Sequence, residues 1–158
     1  MAKKQEIHSP RVQSGRTRSD VTLRAYRSVE AGARRRVLVV DDDPLIRRFT
    51  ARALTGAGYD VTQAESAEQA LAVLVGDGAS FAFMLSDVGL PGASGAELVE
   101  QARSLLPALP TLLMSAMHKH WLVSRGILAH DIELLQKPFK IADLLTRLEQ
   151  LLAQPLAP

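Results

Sequence analysis

From Arg36 to the C-terminal end, the chain alternates apolar runs with amphipathic segments. Short runs rich in β-branched and other apolar residues are typical of strands buried on both faces, as in parallel sheets. The predicted strands are 37–41, 59–64, 81–87, 109–115 and 132–135. The helices that the pattern places most clearly are 44–56, 66–75, 96–106 and 141–152. Repeated strand and helix segments predict an α/β fold with a parallel sheet, in which five strands and five helices use up the chain.

Local signals support several of these boundaries. Pro44 is a favoured first-turn residue, and Asp43 before it suits the helix N-cap. Glycines at 56 and 58 are typical of a helix end. Ser66 is expected to cap the next helix with Gln69 at the capping-box position. Pro107 is expected to stop the third helix.

The composition is that of a soluble globular protein. Apolar residues make up 47% of the 158 positions and charged residues 23%. No apolar run approaches the length of a membrane span, and the opening residues lack the apolar segment of a secretory signal, so we expect a cytoplasmic protein. The absence of cysteine excludes disulfides, thiolate metal sites and a cysteine nucleophile.

Charge divides the chain into two unequal parts. Residues 1–36 carry ten basic and three acidic residues, whereas 37–158 carry nine basic and fourteen acidic ones. We therefore predict a basic, disordered arm over 1–35, a folded domain over 36–152, and a short tail over 153–158 that leaves no room for an output domain. Nucleic-acid or anionic-membrane contact by the arm is the minority interpretation, and a solvated tail the main one.

Side chains suited to phosphoryl chemistry follow several predicted strands. Asp41 and Asp42 come at the end of the first strand, Asp87 ends the third, Ser115 ends the fourth, and Lys137 follows the fifth. In an open parallel sheet, the carboxyl ends of the strands form the edge where ligands bind. These carboxylates, the hydroxyl and the ammonium are therefore expected to meet.

Each residue type has a role in phosphoryl transfer to a carboxylate. Clustered carboxylates favour a hard cation such as Mg²⁺ or Mn²⁺, with Asp42 and Asp87 as direct ligands and Asp41 as a water-mediated or further ligand. The backbone carbonyl of Gly89 is a further candidate ligand. Asp87 is the candidate nucleophile and phosphoacceptor, while Lys137 and Ser115 are expected to bind phosphoryl oxygens.

Four motifs, in this order, resemble those of response regulator receiver domains: VLVVDDDP, LSDVGLPG, LLMSA and QKPF. The resemblance covers about 36–152, and the LLQKPF ending and the DVGLPG loop are similar to those in receivers of hybrid sensor histidine kinases. It implies a doubly wound, flavodoxin-like sheet in the order 2-1-3-4-5, with helices on both faces. It also implies a signalling domain rather than an enzyme. Such a domain is phosphorylated by a sensor histidine kinase or a histidine phosphotransfer protein, which shifts a conformational equilibrium and signals to a downstream protein that the sequence does not identify.

Three positions depart from the usual receiver pattern. Leu134 stands where many receivers have an aromatic switch residue, so an aromatic rotamer switch is excluded there. Gly89 and Met117 stand where polar side chains often assist hydrolysis of the aspartyl phosphate. The resemblance combined with these departures predicts a slowly hydrolysed phosphoryl group.

Two other functions compete with this hypothesis. A haloacid-dehalogenase phosphatase would use Asp41 as nucleophile and Asp43 as general acid, but Leu45 stands where that family usually has Thr or Val. A receiver-like interaction module without phosphorylation would require a damaged acidic cluster, acceptor or lysine, and none is damaged. His118 and His120 form a weak candidate metal pair, because no further His or Cys lies near them in the sequence.

Overall fold

The computed structural model describes residues 34–153. The strands form one parallel sheet in the order β2-β1-β3-β4-β5, which confirms the predicted doubly wound fold. The strands are β1 (Arg36–Val40), β2 (Asp60–Ala64), β3 (Phe81–Asp87), β4 (Thr111–Ser115) and β5 (Glu133–Gln136). The predicted arm and tail lie outside the described residues, apart from their inner ends at 34–35 and 153.

Five α-helices cover the two faces of this sheet. They are α1 (Pro44–Gly56), α2 (Ala67–Asp77), α3 (Gly95–Leu105), α4 (Lys119–Ser124) and α5 (Ile141–Ala153), with a 3-10 turn at Gly78–Ser80. Alternate residues of β1 point to opposite faces: Val37 and Val39 pack with α1 and α5, while Leu38 and Val40 pack with α2, α3 and α4. Burial on both faces explains why the strands are continuously apolar.

The helix caps follow from short sequence signals. Asp43 caps α1, accepting hydrogen bonds from the amides of Leu45 and Ile46 at 2.8 and 3.3 Å. Ser66 caps α2 as predicted, but Gln69 bonds the amide of Glu65 rather than that of the cap residue. Both caps therefore satisfy backbone N–H groups in the first turn of their helices, shortly after β1 and β2.

Two features of the helices were absent from the sequence prediction. The full capping box lies at the start of α3, where Ser94 and Glu97 each bond the other's backbone. Helix α4 has only 6 residues, too few to show a helical apolar period. Some predicted bounds were also wrong by one or two residues: β1 ends at Val40, and β4 begins at Thr111.

Helix α3 begins pressed against the end of β3. The Gly95 amide donates to the carbonyl of Val88 at 3.0 Å. A Cβ atom at Gly95 would lie 2.0 Å from the carbonyl oxygen of Asp87, so only glycine fits this approach. The loop after Asp87 is thereby held close to the sheet edge. Across residues 34–153, every helix falls short of the length and apolar character that crossing a bilayer requires.

Candidate functional site

The strand order brings four of the predicted side chains to one edge of the sheet. Asp41 directly follows β1, Asp87 is the last residue of β3, Ser115 is the last residue of β4, and Lys137 directly follows β5. Because these strands are neighbours in the sheet, their carboxyl ends are adjacent. Asp87 pairs in register with Met114, and Ser115 with Gln136.

Lys137 bridges the two innermost carboxylates. Its Nζ lies 2.6 Å from Asp87 Oδ1 and 3.1 Å from Asp41 Oδ2. Asp41 is buried, with a side chain only 1% exposed, whereas the side chains of Asp87 and Lys137 are 14% and 18% exposed. Asp87 is therefore the carboxylate of the pair that a reactant can approach from solvent.

The second oxygen of Asp87 is held by the following loop. Asp87 Oδ2 accepts a hydrogen bond from the Gly89 amide at 2.7 Å. A Cβ atom at Gly89 would lie 3.1 Å from the same oxygen, which is a tight contact. Glycine at this position leaves the carboxylate uncovered while its N–H orients it. Metal binding by the Gly89 carbonyl remains a prediction.

Burial and neighbouring charges have opposite effects on the pKa values of Asp41 and Lys137. Burial raises the pKa of Asp41, although hydrogen bonds from Lys137 and from the Asp43 amide partly offset this effect. Burial by itself lowers the pKa of Lys137, but hydrogen bonds to Asp87 and Asp41 and their charges outweigh it, so the pKa of Lys137 is raised. Lys137 thus stays a cation that holds two carboxylates together.

The predicted carboxylate trio is only partly assembled. Asp41 and Asp87 converge on Lys137, while Asp42 is exposed on the turn before α1. Among residues 34–153, no group of three or more His, Cys or acidic side chains is close enough to hold a metal ion, and this includes His118 and His120. The donors that do meet are all oxygens, the chemistry that suits Mg²⁺, and Asp42 is one residue from Asp41.

Ser115 is buried and tied to its own loop. Its Oγ accepts a hydrogen bond from the Met117 amide at 2.9 Å, and its carbonyl accepts one from the Lys137 amide at 2.7 Å. The hydroxyl proton remains available for a further acceptor, because the oxygen serves the amide through a lone pair. Leu134, at the predicted switch position, is buried in the apolar core beside α4.

Two polar residues that sequence reasoning missed support this edge of the sheet. Gln136 donates from Nε2 to the carbonyl of Ala116 at 3.1 Å, which ties the loop after β4 to the end of β5. Arg47 donates from Nη1 to the carbonyl of Asp41 at 2.6 Å. The sequence signal that could have identified Gln136 was its position directly before Lys137. Arg47 carried no signal beyond its place in the first turns of α1.

The comparisons with known proteins agree with this architecture. The family model for the response regulator receiver domain matches residues 37–149. The chain is 30% identical over 118 residues to response regulator receiver protein CpdR from Brucella abortus, covering 75% of this chain and 97% of CpdR. It is also 34% identical over 117 residues to response regulator MprA from Mycobacterium avium, but spans only 50% of that relative.

Solved structures show the same likeness. CheY4, a chemotaxis protein of Vibrio cholerae, matches with a TM-score of 0.68 at 30% identity over 75% of this chain and 99% of its own. The receiver domain of the hybrid histidine kinase CckA matches with a TM-score of 0.63 at 30% identity, covering 74% and 98% of the two chains. TrrA from Thermotoga maritima, solved in complex with Mg²⁺ and BeF, matches at 28% identity with a TM-score of 0.64 over 74% of this chain and 98% of its own.

The fold and the strand-end site define a signalling domain of two-component systems. This chain belongs to the response regulator receiver domain family. Receiver domains are signalling domains rather than classical enzymes, so the haloacid-dehalogenase phosphatase hypothesis is wrong. The hypothesis of a receiver-like interaction module concerns phosphorylation itself and is addressed by experiment below.

Proposed function

We propose that Asp87 accepts a phosphoryl group from a phosphohistidine of a sensor histidine kinase or a histidine phosphotransfer protein. The observation that carries this proposal is the contact of Lys137 with Asp87 at the solvent-facing edge of the sheet, backed by the buried Asp41. A carboxylate that a solvent-borne reactant can approach and a cation fixed beside it are the two parts that phosphoryl transfer needs most.

The transfer requires little rearrangement of covalent bonds. A carboxylate oxygen of Asp87 attacks phosphorus, the new O–P bond forms as the N–P bond to imidazole breaks, and the electron pair of that bond remains on the imidazole nitrogen. Lys137 keeps its proton and binds a phosphoryl oxygen. Ser115 donates a hydrogen bond from its hydroxyl to a second phosphoryl oxygen, while its own oxygen continues to accept from the Met117 amide.

Asp41, Asp42 and Asp87, with the Gly89 carbonyl, are the residues that would hold Mg²⁺ or Mn²⁺. When bound, the divalent cation supplies positive charge beside the transferred phosphoryl group. Two of these carboxylates already converge on Lys137, and Asp42 directly follows Asp41 in the sequence. All donors in this set are oxygens, as the ion prefers.

Phosphorylation is proposed to shift an existing equilibrium between inactive and active conformations. The loop after β4 is tied to β5 by Gln136 and by the Lys137 amide, so a movement of Ser115 toward the phosphoryl group also acts on β5. A histidine kinase partner implies a cytoplasmic site of action. Residues 1–35 are proposed to form a basic arm outside the receiver domain, and contact of this arm with nucleic acid or an anionic membrane is the minority interpretation.

The acceptor is tested by intact-mass measurement after incubation with acetyl phosphate and Mg²⁺. Wild type is expected to gain the mass of one phosphoryl group, stable in acid and labile in base, and Asp87→Asn is expected to gain none. Asp60→Asn is the matched control, since Asp60 is an exposed aspartate at the start of β2. Full labelling of Asp87→Asn would assign the nucleophile elsewhere, and no labelling of wild type would favour a pure interaction module.

A further inference from the structure

Arg47 holds the segment that carries two of the predicted metal ligands. This segment, Asp41–Asp43, is called the acidic turn below. Arg47 Nη1 donates to the carbonyl oxygens of Asp41 and Asp42 at 2.6 and 3.4 Å, and Nη2 lies 3.8 Å from Glu65 Oε2. The Arg47 side chain is only 14% exposed.

These contacts hold the backbone of the acidic turn through its carbonyl oxygens rather than through its carboxylates. The carbonyl oxygens of two consecutive residues accept from the same nitrogen, Nη1, and the contact with Asp41 is the closer one. Two further links hold the turn: the Asp41 amide donates to the Ala64 carbonyl at the end of β2 at 3.2 Å, and the Asp43 amide donates to Asp41 Oδ1 at 2.9 Å. Arg47 therefore connects helix α1, the acidic turn and the end of β2.

The backbone of the acidic turn matters because it sets the positions from which the Asp41 and Asp42 side chains extend. Asp41 is buried, and three successive carboxylates crowd one short stretch of backbone. Without Arg47, the carbonyl groups of Asp41 and Asp42 lose their hydrogen bonds to its guanidinium, so the direction of these two peptide groups is less well fixed. A guanidinium bonded to the carbonyls resists rotation of these peptide groups without occupying the carboxylate oxygens of Asp41 and Asp42.

We propose that Arg47 is a positioning residue for divalent cation binding at the acidic turn. The inference rests on the proposed function, because it assumes that Asp41, Asp42 and Asp87 hold the ion. Arg47 acts through the backbone and touches neither the ion nor the phosphoryl group. Residues that orient metal ligands in this way typically change metal affinity by roughly tenfold or more when they are lost.

The loss of Arg47 changes Mg²⁺ affinity in opposite directions depending on whether its charge or its hold on the backbone matters, and this makes the inference testable. Removing a positive charge close to a carboxylate cluster strengthens cation binding if charge alone matters. Losing the orientation of the turn weakens it. The sign of the change in Mg²⁺ affinity therefore separates the two effects. Arg48, the exposed neighbour with the same charge, supplies a matched control.

The experiment is calorimetric titration of the full chain with Mg²⁺, at two ionic strengths and at a temperature where circular dichroism shows each variant folded. Arg47→Gln is expected to bind Mg²⁺ roughly tenfold more weakly than wild type at both ionic strengths. Arg47→Lys keeps the charge but replaces the planar guanidinium with an ammonium. Its Mg²⁺ affinity is therefore expected to lie between those of wild type and Arg47→Gln. Arg48→Gln is expected to bind as wild type or slightly more tightly. If Arg47→Gln does not fold, the Mg²⁺ affinity of Arg47→Lys tests the inference instead.

A second measurement follows the turn without any metal. The Asp43 amide is expected to exchange its hydrogen faster in metal-free Arg47→Gln than in wild type or Arg48→Gln, because its bond to Asp41 Oδ1 depends on the held turn. Mg²⁺ affinity of Arg47→Gln or Arg47→Lys at or above that of wild type would overturn the inference, as would an unchanged exchange rate. If wild type itself bound no Mg²⁺, the proposed function would fail instead, and the exchange rates would still test the role of Arg47 in the turn.

Discussion

The ammonium nitrogen of Lys137 lies 2.6 Å from Asp87 Oδ1, closer than its 3.1 Å distance from Asp41 Oδ2. The same two carboxylates are predicted ligands of a divalent cation. Lys137 and the ion therefore compete for the same oxygens, and the ammonium offsets one of the two negative charges when the ion is absent. Three predictions concern this edge of the sheet and the acceptor loop, and a fourth concerns the core.

Lys137→Met is expected to lower the free energy of unfolding by about 2 kcal/mol in metal-free buffer. The change removes two hydrogen bonds to charged groups and leaves two carboxylates facing each other. The same variant is expected to bind Mg²⁺ more tightly, because the competing cation is gone. Urea unfolding and calorimetric titration measure the two effects. Lys140→Met is the control, since Lys140 is exposed and outside the site. Weaker Mg²⁺ binding in Lys137→Met than in the control would refute the competition.

Asp41→Asn is expected to raise the thermal midpoint of the metal-free protein at neutral pH. Burial raises the pKa of Asp41, so the carboxyl contributes most to stability when it is protonated. That contribution is fully present below its ordinary pKa of 3.8 and is lost as the pH rises through the raised pKa of the folded state. The neutral amide avoids this loss.

The difference in thermal midpoint between Asp41→Asn and wild type should therefore close as the pH falls and the wild-type carboxyl takes up its proton. Thermal melts over a pH series in chelator, with Asp60→Asn as control, provide the comparison. A difference that stays constant across the series, or a variant less stable than wild type at neutral pH, would contradict the predicted role of burial at Asp41.

The phosphorylated state of Asp87 is expected to persist for minutes to hours. Hydrolysis needs a water aligned behind phosphorus, and Gly89 offers no side chain to hold it. Met117, 42% exposed after β4, offers only an apolar one. Decay of phosphorylated protein after removal of the donor, with Mg²⁺ present, measures the lifetime. Gly89→Asn and Met117→Glu are expected to shorten it by about a hundredfold, the lower end of the range for a positioned side chain that assists proton transfer.

Loss of the phosphoryl group within seconds in wild type would show that neither position limits hydrolysis. The same conclusion would follow if both substitutions left the decay unchanged. The Gly89 variant also adds a Cβ atom 3.1 Å from Asp87 Oδ2, so its initial labelling must be compared with that of wild type before decay is interpreted. Met117→Gln serves as a polar control without charge.

Thr50→Val is expected to stabilise the fold by about 1 kcal/mol. Thr50 is completely buried on the inner face of α1, and its Oγ1 is a buried oxygen without a hydrogen-bond partner among the described residues. Valine keeps the shape and the β-branch while removing the unpaired hydroxyl. Urea unfolding of Thr50→Val beside Thr55→Val, an exposed threonine of the same helix, tests this prediction. A loss of stability specific to Thr50→Val would show that its hydroxyl is paired in solution.

The sequence by itself determined the order of elements, the buried strands and the functional residue types. Apolar runs, the Asp43 and Ser66 caps, and the polar residues at strand ends are signals within a few positions, and such signals depend on local backbone geometry. The resemblance carried by four motifs supplied the strand order, which the structure confirmed.

Only the tertiary structure decided which strand-end residues meet. It brings Lys137 to Asp41 and Asp87 across 96 and 50 positions of sequence, leaves Asp42 outside the pair, and recruits Gln136 and Arg47 as supports. The position of helix α4 also became clear only in the fold, because six residues are too few to show the apolar periodicity of a helix. The physical reason is common to these features: each depends on distances between segments that sheet pairing and helix packing bring together, and no local sequence pattern encodes those distances.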